Sequence, residues 1–299
     1  LAYSLNNQLG FTVCGIGIGS ELALNGTASH AFAHILYKAL LFMSMGAVLF
    51  RAGTVKASEL GGLYKSMPWT AGFCIIGALS ISAFPLFSGF VTKSMILTAA
   101  AEEHRWIVWS VLLMASAGVM EHSGIKIPYF AFFAHDSGKR VKEAPLNMVL
   151  AMGITAALCI GIGIYPAALY SILPYEVSYH PYTFGHVITS LQLLVFAALA
   201  FLFLIRTGLY PTETPSTNLD FDWVYRRIIP HFLGELRNAV YEVDRQGRSL
   251  ILGVVSGILR WANRYHGING MMSRTYPAGI MVFWTLAIFL IFLILYLTA

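Results

Sequence analysis

Ser82-Ala83-Phe84-Pro85-Leu86-Phe87-Ser88-Gly89 stands in the middle of an apolar run that extends from residue 68 to residue 100. About 20 apolar residues suffice to cross a bilayer core as a helix, so this run is too long for one plain crossing. Pro85 lacks a backbone donor and its ring clashes with the preceding turn, while Gly89 carries no Cβ to resist bending. The stretch therefore predicts two half-helices with a short unwound joint between Pro85 and Gly89. Carbonyls near 81–85 lose their helical partners there and turn to water or to the amine of Lys93, which follows the joint. Backbone opened in this way is tolerated at membrane depth only where it is buried in protein or lines a wet cavity.

The 299 residues are 57% apolar and only 11% charged. Ordinary soluble domains carry about 25% charged residues, and a mean hydropathy of +0.69 fits a polytopic membrane protein instead. Seven crossings are predicted, near 8–20, 27–50, 68–100, 105–134, 145–165, 186–206 and 277–299, all helical because a lone helix satisfies its own backbone in lipid. The fold class is thus an all-α polytopic membrane protein of about seven transmembrane helices, one of them broken at Pro85-Gly89, plus an amphipathic helical region on the cytoplasmic surface. Cys14, Cys74 and Cys159 all fall within apolar runs, where a thiol acts as a small hydrophobe, and no disulfide framework is implied. The chain opens on Leu1 without Met, in what reads as a polar turn, so a fragment is expected and no signal peptide can be judged.

Orientation follows from the cations. Arg51, Lys56 and Lys65, then Lys139, Arg140 and Lys142, then nine arginines within 206–276 all fall on one side of the predicted crossings. The opposite loops carry only Arg105, so the positive-inside rule puts the cation-rich side in the cytoplasm. The net charge of +5 is accounted for by these membrane flanks and does not call for nucleic acid. Three organisational parts result: a transmembrane bundle over 1–206, a cytoplasmic-surface segment over 207–276 and a last transmembrane helix over 277–299. The middle part opens with the turn-rich 210–216, and Asp220 and Asp222, ahead of Trp223, read as helix-starting residues. It then spaces Trp223, Phe232, Leu236, Val240, Val254, Ile258 and Trp261 at helical intervals among arginines, with Pro230 and Gly247 as breaks. Such a pattern describes helices along the membrane surface or against a partner, with a small soluble domain as the competing reading.

Three cations remain, Lys38, Lys93 and Lys126, each inside a crossing. A lysine at the bilayer centre costs roughly 2.5–3.5 kcal/mol even on lenient insertion scales. Lys38 closes the series His30, His34, Lys38, whose i, i+4 steps line one helix face. Histidine titrates near neutrality and a desolvated amine moves toward the same range, so such a face suits proton transfer. Interhelical hydrogen bonding is the bland explanation of the histidine pair. Zinc is disfavoured, because no Glu follows His30 in the HExxH manner and no other ligands cluster. Lys93 is either a working amine at the joint or a side chain snorkelling to the interface. Lys126 has Glu121 within two turns as a possible partner, in a working or merely structural ion pair. Gly15, Gly17 and Gly19 imply close helix packing more than a nucleotide loop. His180 and His186 read as solvated outer-loop residues. With no nucleophile–base pair, thiolate cluster or haem-like histidine pair, no cofactor or metal is expected.

These residues resemble the antiporter-like family shared by respiratory complex I and the multisubunit Mrp-type Na⁺/H⁺ antiporters. Leu1-Ala2-Tyr3-Ser4 with Gln8-Leu9-Gly10-Phe11 is similar to the family's LAYSTxSQxGY turn, His30 to Phe42 to its HxxxHxxxKALLF helix, and Phe84 to Lys93 to its FPxxxGFxSK broken helix. Gly124-Ile125-Lys126-Ile127-Pro128-Tyr129-Phe130 resembles the GLKLPYF run of the D-type members of Mrp antiporters. Membership implies two inverted five-helix repeats, with this chain beginning inside the second. It also implies His30 and His34 as relay histidines, Lys38 as the central lysine and Lys93 as the lysine near the exit half-channel. Members of the complex I branch often carry an acid after that last lysine; here Ser94 follows. The resemblance implies a secondary transporter subunit rather than an enzyme. It exchanges protons for Na⁺ or another monovalent cation among other integral membrane subunits and lipid, in a bacterial or archaeal inner membrane. The alternatives are a proton-pumping, non-redox subunit of an NADH-quinone oxidoreductase or hydrogenase complex, and a membrane scaffold with dispensable lysines.

Overall fold

A computed structural model describes residues 1–210 and 221–298. Among these, every regular element is helical: α1 (Ala2–Ile18), α2 (Glu21–Ala52), α3 (Pro68–Ile81), α4 (Ser88–Glu102), α5 (Trp106–Val119), α6 (Leu146–Ile164), the short α7 (Ala167–Tyr170), α8 (Phe184–Arg206), α9 (Ile229–His266) and α10 (Ala278–Thr298). By length and composition α2, α6, α8 and α10 can each cross a membrane, and α3 is a shorter apolar helix. Apolar residues point outward as well as inward on α5, α6 and α8, where Ile107, Met114, Leu150, Ile154, Phe196 and Phe203 are all exposed. Helices that are apolar all round belong in lipid, and the protein is a multi-pass membrane protein.

The chain divides into two units, Leu1–Pro215 and Ser216–Ala299. In the first, α2 is the central helix and packs against α1, α3, α4 and α6. Tyr37, Leu40 and Leu41 of α2 meet Met67, Cys74 and Ile81 around α3, Phe132, and Met152 of α6 in one buried core. Gly15 of α1 allows close approach as its spacing predicts, since a Cβ there would run into Thr27 of α2. Gly19 does something else: it closes α1 in the left-handed region at φ 79°. The opening of the chain differs from the polar turn expected, because residues from Ala2 onward are already helical.

The predicted break is present but begins earlier than Pro85-Gly89. α3 stops at Ile81 and α4 starts at Ser88. The residue before a proline is pushed out of the α region, so the helix ends ahead of Pro85. Within the joint Ala83 and Leu86 take φ values of 59° and 75°, a left-handed conformation costly for residues with a Cβ and found where the surroundings enforce it. Gly89 is no hinge; it lies within α4, and a Cβ there would overlap the carbonyl of Ser80 across the joint. Gly163 of α6 likewise lets that helix lie against the backbone of Leu86.

After Val119 the helix widens into π turns, Met120–Lys126 and Tyr129–Phe133. A Cβ at Gly124 would meet Ser82, so this wide segment also leans on the joint. Two loops on one face are tied together. Glu143 accepts hydrogen bonds from the Trp69 backbone (2.9 Å) and the Thr70 hydroxyl (2.5 Å), which caps the N-terminus of α3. Asp136 takes Arg140 in bidentate fashion (2.8 and 2.6 Å) together with Lys65 at 2.9 Å.

In the second unit α9 runs unbroken for 38 residues, about 57 Å at ~1.5 Å per residue. The breaks expected at Pro230 and Gly247 are not there. Pro230 falls in the first turn, where its missing donor has no intrahelical role. Around Gly247 the pairs Arg245–Glu242 (2.7 Å) and Arg248–Asp244 (2.8 Å) staple successive turns, offsetting part of the ~1 kcal/mol that Gly costs a helix. Phe232, Leu236, Val240, Val243, Val254, Ile258 and Trp261 share one face of α9, and all are exposed. Asp222 pairs with Arg226 at 3.1 Å. The turn-rich opening from Pro211 and Asp220 lie outside the described residues.

Candidate functional site

Four of the residues singled out from sequence meet in the interior of the first unit. His30, His34 and Lys38 lie along one side of α2 and are 0%, 5% and 4% exposed. The two imidazoles stack with centroids 6.3 Å apart and planes 15° from parallel. Lys93 of α4 is 1% exposed, so it does not snorkel to an interface. Its Nζ donates to the Ile81 carbonyl at 3.1 Å, one of the acceptors freed where α3 ends. Among the described residues neither Lys38 nor Lys93 has a carboxylate in ion-pair distance; the pairs that exist lie in loops and on the second unit.

Several residues that the sequence did not mark complete the arrangement. The Thr92 hydroxyl donates to the Ser88 carbonyl at 3.0 Å and lies 3.3 Å from Nδ1 of His30. With its one hydrogen committed to Ser88, Thr92 can only accept from the imidazole, which assigns the Nδ1–H tautomer and leaves Nε2 as a bare acceptor. Phe11 of α1 neighbours both the histidine file and Lys93: its ring centroid is 4.9 Å from the Lys93 Nζ and 5.9 Å from the His30 ring. Tyr37 packs on His34 at 5.4 Å and donates to Gln8 at 3.0 Å. Lys38 reaches the Ser4 hydroxyl on α1 and lies 5.8 Å from the Phe42 ring. Thr92 and Tyr37 are sequence neighbours of marked lysines, the one hint available. Phe11 gives no signal, because its role depends on how α1 crosses α2.

Lys126 stands apart. Its amine lies over the Tyr210 ring at 5.0 Å, and among the described residues Glu121 makes no ion pair with it. On the other side of Lys93, a cavity of about 450 Å³ opens between α4, α5 and α8, lined among others by Ser94, Thr98, Trp109, Ser116 and His186. His186 is therefore not the solvated loop residue expected; it belongs to the first turn of α8 and stacks on Phe90 at 4.7 Å.

What the site can do follows from its groups: amines and imidazoles each bind one proton and release it, and an ionised lysine in this interior is expensive to keep. Residues 1–121 match the protein family described as NADH:quinone oxidoreductase/Mrp antiporter, TM. That part of the chain is similar to this antiporter-like family. All four site residues, with Phe11 and Thr92, fall inside it. The chain is 30% identical over 176 residues to the D component of the Na⁺/H⁺ antiporter of Alkalihalophilus pseudofirmus, covering 58% of this chain and 36% of that one. It is 29% identical over 187 residues to hydrogenase-4 component B of Escherichia coli, 55% of this chain and 28% of that one. The archaeal membrane-bound sulfane sulfur reductase complex shares the fold at a TM-score of 0.54 and 24% identity, over 96% of this chain and 50% of that one. The chain thus spans 36% and 28% of the two curated relatives.

Proposed function

We propose that this chain forms the second half-channel of a proton-translocating subunit in a multisubunit monovalent cation (Na⁺)/proton antiporter. His30, His34, Lys38 and Lys93 relay the proton. The observation that carries the reading is the juxtaposition of a buried histidine file ending in a lysine with a second buried lysine at a helix break, neither amine neutralised by a carboxylate among the described residues. A group held this way gives up or gains charge at small cost, as a relay station must. The similarity to a component of a Na⁺/H⁺ antiporter supports Na⁺ as the counter-ion.

In this reading α1, α2, the broken pair α3–α4, α5 with its π turns, α6, α8 and α10 make seven crossings, with the Lys- and Arg-rich loops in the cytoplasm of a bacterium or archaeon. The amphipathic α9 lies along the membrane surface. Lipid and other integral membrane subunits are the partners. A second reading, a proton-pumping subunit of a redox or hydrogenase complex, draws on the similarity to hydrogenase-4 component B. The relay would be the same and only its drive would differ.

The test is proton movement in proteoliposomes bearing the whole subunit in its complex. Lys38→Ala is expected to insert and assemble yet lose nearly all cation-dependent transport, because it deletes a proton site without adding insertion cost. Lys93→Arg keeps charge but cannot deprotonate, so it fails if Lys93 cycles. Transport above half the wild-type rate in Lys38→Ala overturns the relay. Proton movement that follows an imposed Na⁺ gradient separates the antiporter from a subunit driven by quinone reduction or hydrogen chemistry.

A further inference from the structure

The cavity beyond Lys93 ends on a histidine that the relay above leaves unused. His186 opens α8, and its Nδ1 lies 2.7 Å from the carbonyl of Pro181. A carbonyl only accepts, so Nδ1 carries the hydrogen and the neutral ring presents Nε2 as a lone pair. The ring is held from a second direction by Phe90, against which it stacks at 4.7 Å and 20°. Phe90 is also packed by Tyr182 at 5.3 Å and sits one helical turn before Lys93 on α4. A base oriented by a fixed acceptor on its other nitrogen is the arrangement used wherever an imidazole must exchange protons from one edge.

His186 and Lys93 line the same cavity of about 450 Å³, and the hydroxyls of Thr98, Ser116 and Ser190 stand on its walls. Its walls are mainly apolar, but the volume is ample for a short file of water held by the hydroxyls that interrupt them. The other titratable groups facing it are Lys93 and Glu102 from α4, with Tyr182 beside the histidine on Phe90; α5 contributes Trp109, Leu113 and Ser116, none of which titrates. Glu102 closes α4 and is exposed. His186 is only partly exposed, between the cavity and the loop before α8.

We propose that His186 is the proton-exchange group between Lys93 and the solution on the face opposite the cation-rich loops. The Lys93 ammonium gives one proton to the hydroxyl and water file and becomes a neutral amine. Nε2 of His186 takes one proton from that file to give an imidazolium whose Nδ1–H stays on Pro181. The imidazolium then releases the Nε2 proton to the solution, and the sequence runs backward when the gradient reverses. This rests on the reading of Lys93 as a cycling proton carrier.

Two substitutions separate proton exchange from packing. His186→Phe keeps a ring against Phe90 but has no lone pair, and His186→Ala leaves room for a small base. Both are expected to slow proton movement in proteoliposomes of the whole complex by on the order of 10²-fold, the usual worth of a positioned acid–base group. Imidazole added on the His186 side should restore transport by His186→Ala in a saturable way, with no such effect on His186→Phe. Wild-type rates in His186→Phe, absence of imidazole rescue in His186→Ala, or loss of transport in Glu102→Gln alone would each overturn the proposal. Lys93→Gln is the control: if it too transports at the wild-type rate, the relay reading has failed, whereas an inactive Lys93→Gln beside an active His186→Phe removes only His186.

Discussion

Replacing Thr92 by Val tests the relay at the point where α4 touches the histidine file. The two side chains are nearly the same size, so packing around the fully buried Thr92 is kept while its hydroxyl is lost. His30 then loses its acceptor for the Nδ1 hydrogen, and its Nε2 is already without a partner among the described residues. A buried donor left unmade costs about 1–3 kcal/mol, which corresponds to a change of about 5- to 150-fold in a rate or an equilibrium. Because the penalty falls on one tautomer of His30, it biases the imidazole away from the state that presents Nε2 to the file. Proton movement by the reconstituted complex, followed with a trapped pH indicator, is expected to fall within that range for Thr92→Val. Thr92→Ser restores the hydroxyl and should return the rate to within about twofold of wild type, since the bond to His30 is re-formed. Equal rates for Thr92→Val and wild type, or equal losses for Val and Ser, would refute the reasoning.

Other expectations concern the scaffold. Gly89→Ala sets a methyl against the Ser80 carbonyl, and the overpacking should destabilise the detergent-solubilised protein by about 1–3 kcal/mol; an unchanged melting temperature would show that the joint yields freely. Glu143→Ala removes the cap of α3 and leaves the buried Thr70 hydroxyl without its acceptor, a loss of about 2–4 kcal/mol in the same assay, with Glu143→Gln losing less. The Asp136 carboxyl is held well below the usual carboxylate range by Arg140, then Lys65 and the Gly138 backbone. A depressed value means that the stabilisation is complete above the unfolded carboxyl's pKa of about 3.9 and fades only as pH falls below it. The difference between wild type and Asp136→Asn should therefore stay level from neutral pH to about pH 5 and shrink in stronger acid. A cysteine at Lys139 should react with membrane-impermeant reagents only from the cytoplasmic side, and one at Glu176 only from the other; the reverse labelling would invert the topology.

Features written in local chemistry are legible in the chain. Pro85 announces the break, the i, i+4 spacing announces the buried face of α2, and the outward apolar residues of α8 announce lipid. The departures share a physical cause. The composition of the joint points to Pro85-Gly89, but a proline unsettles the residues before it, so α3 ends at Ile81, and Gly89 serves a close approach that exists only once α3 and α4 are folded against each other. Gly247 reads as a breaker because its propensity is poor, while the salt bridges on either side of it span the weak turn. His186 reads as solvated because its loop is polar, and nothing in the order of residues says that the start of α8 folds over Phe90. Phe11 and Thr92 belong to the same class of contact, because their partners come from other helices: His30 of α2 for both, and Lys93 of α4 for Phe11.

Phe11 carries one more consequence. A benzene ring has no exchangeable hydrogen, and this one is completely buried in contact with both the Lys93 amine and the His30 imidazole. It hands on no proton of its own, so in the proposed relay the proton passes around the ring while the field of a charge passes through it. A charge arriving on one side is felt on the other across a medium of low dielectric constant, so loading either station raises the cost of loading its neighbour. In the proposed relay the two stations would then take turns in carrying charge.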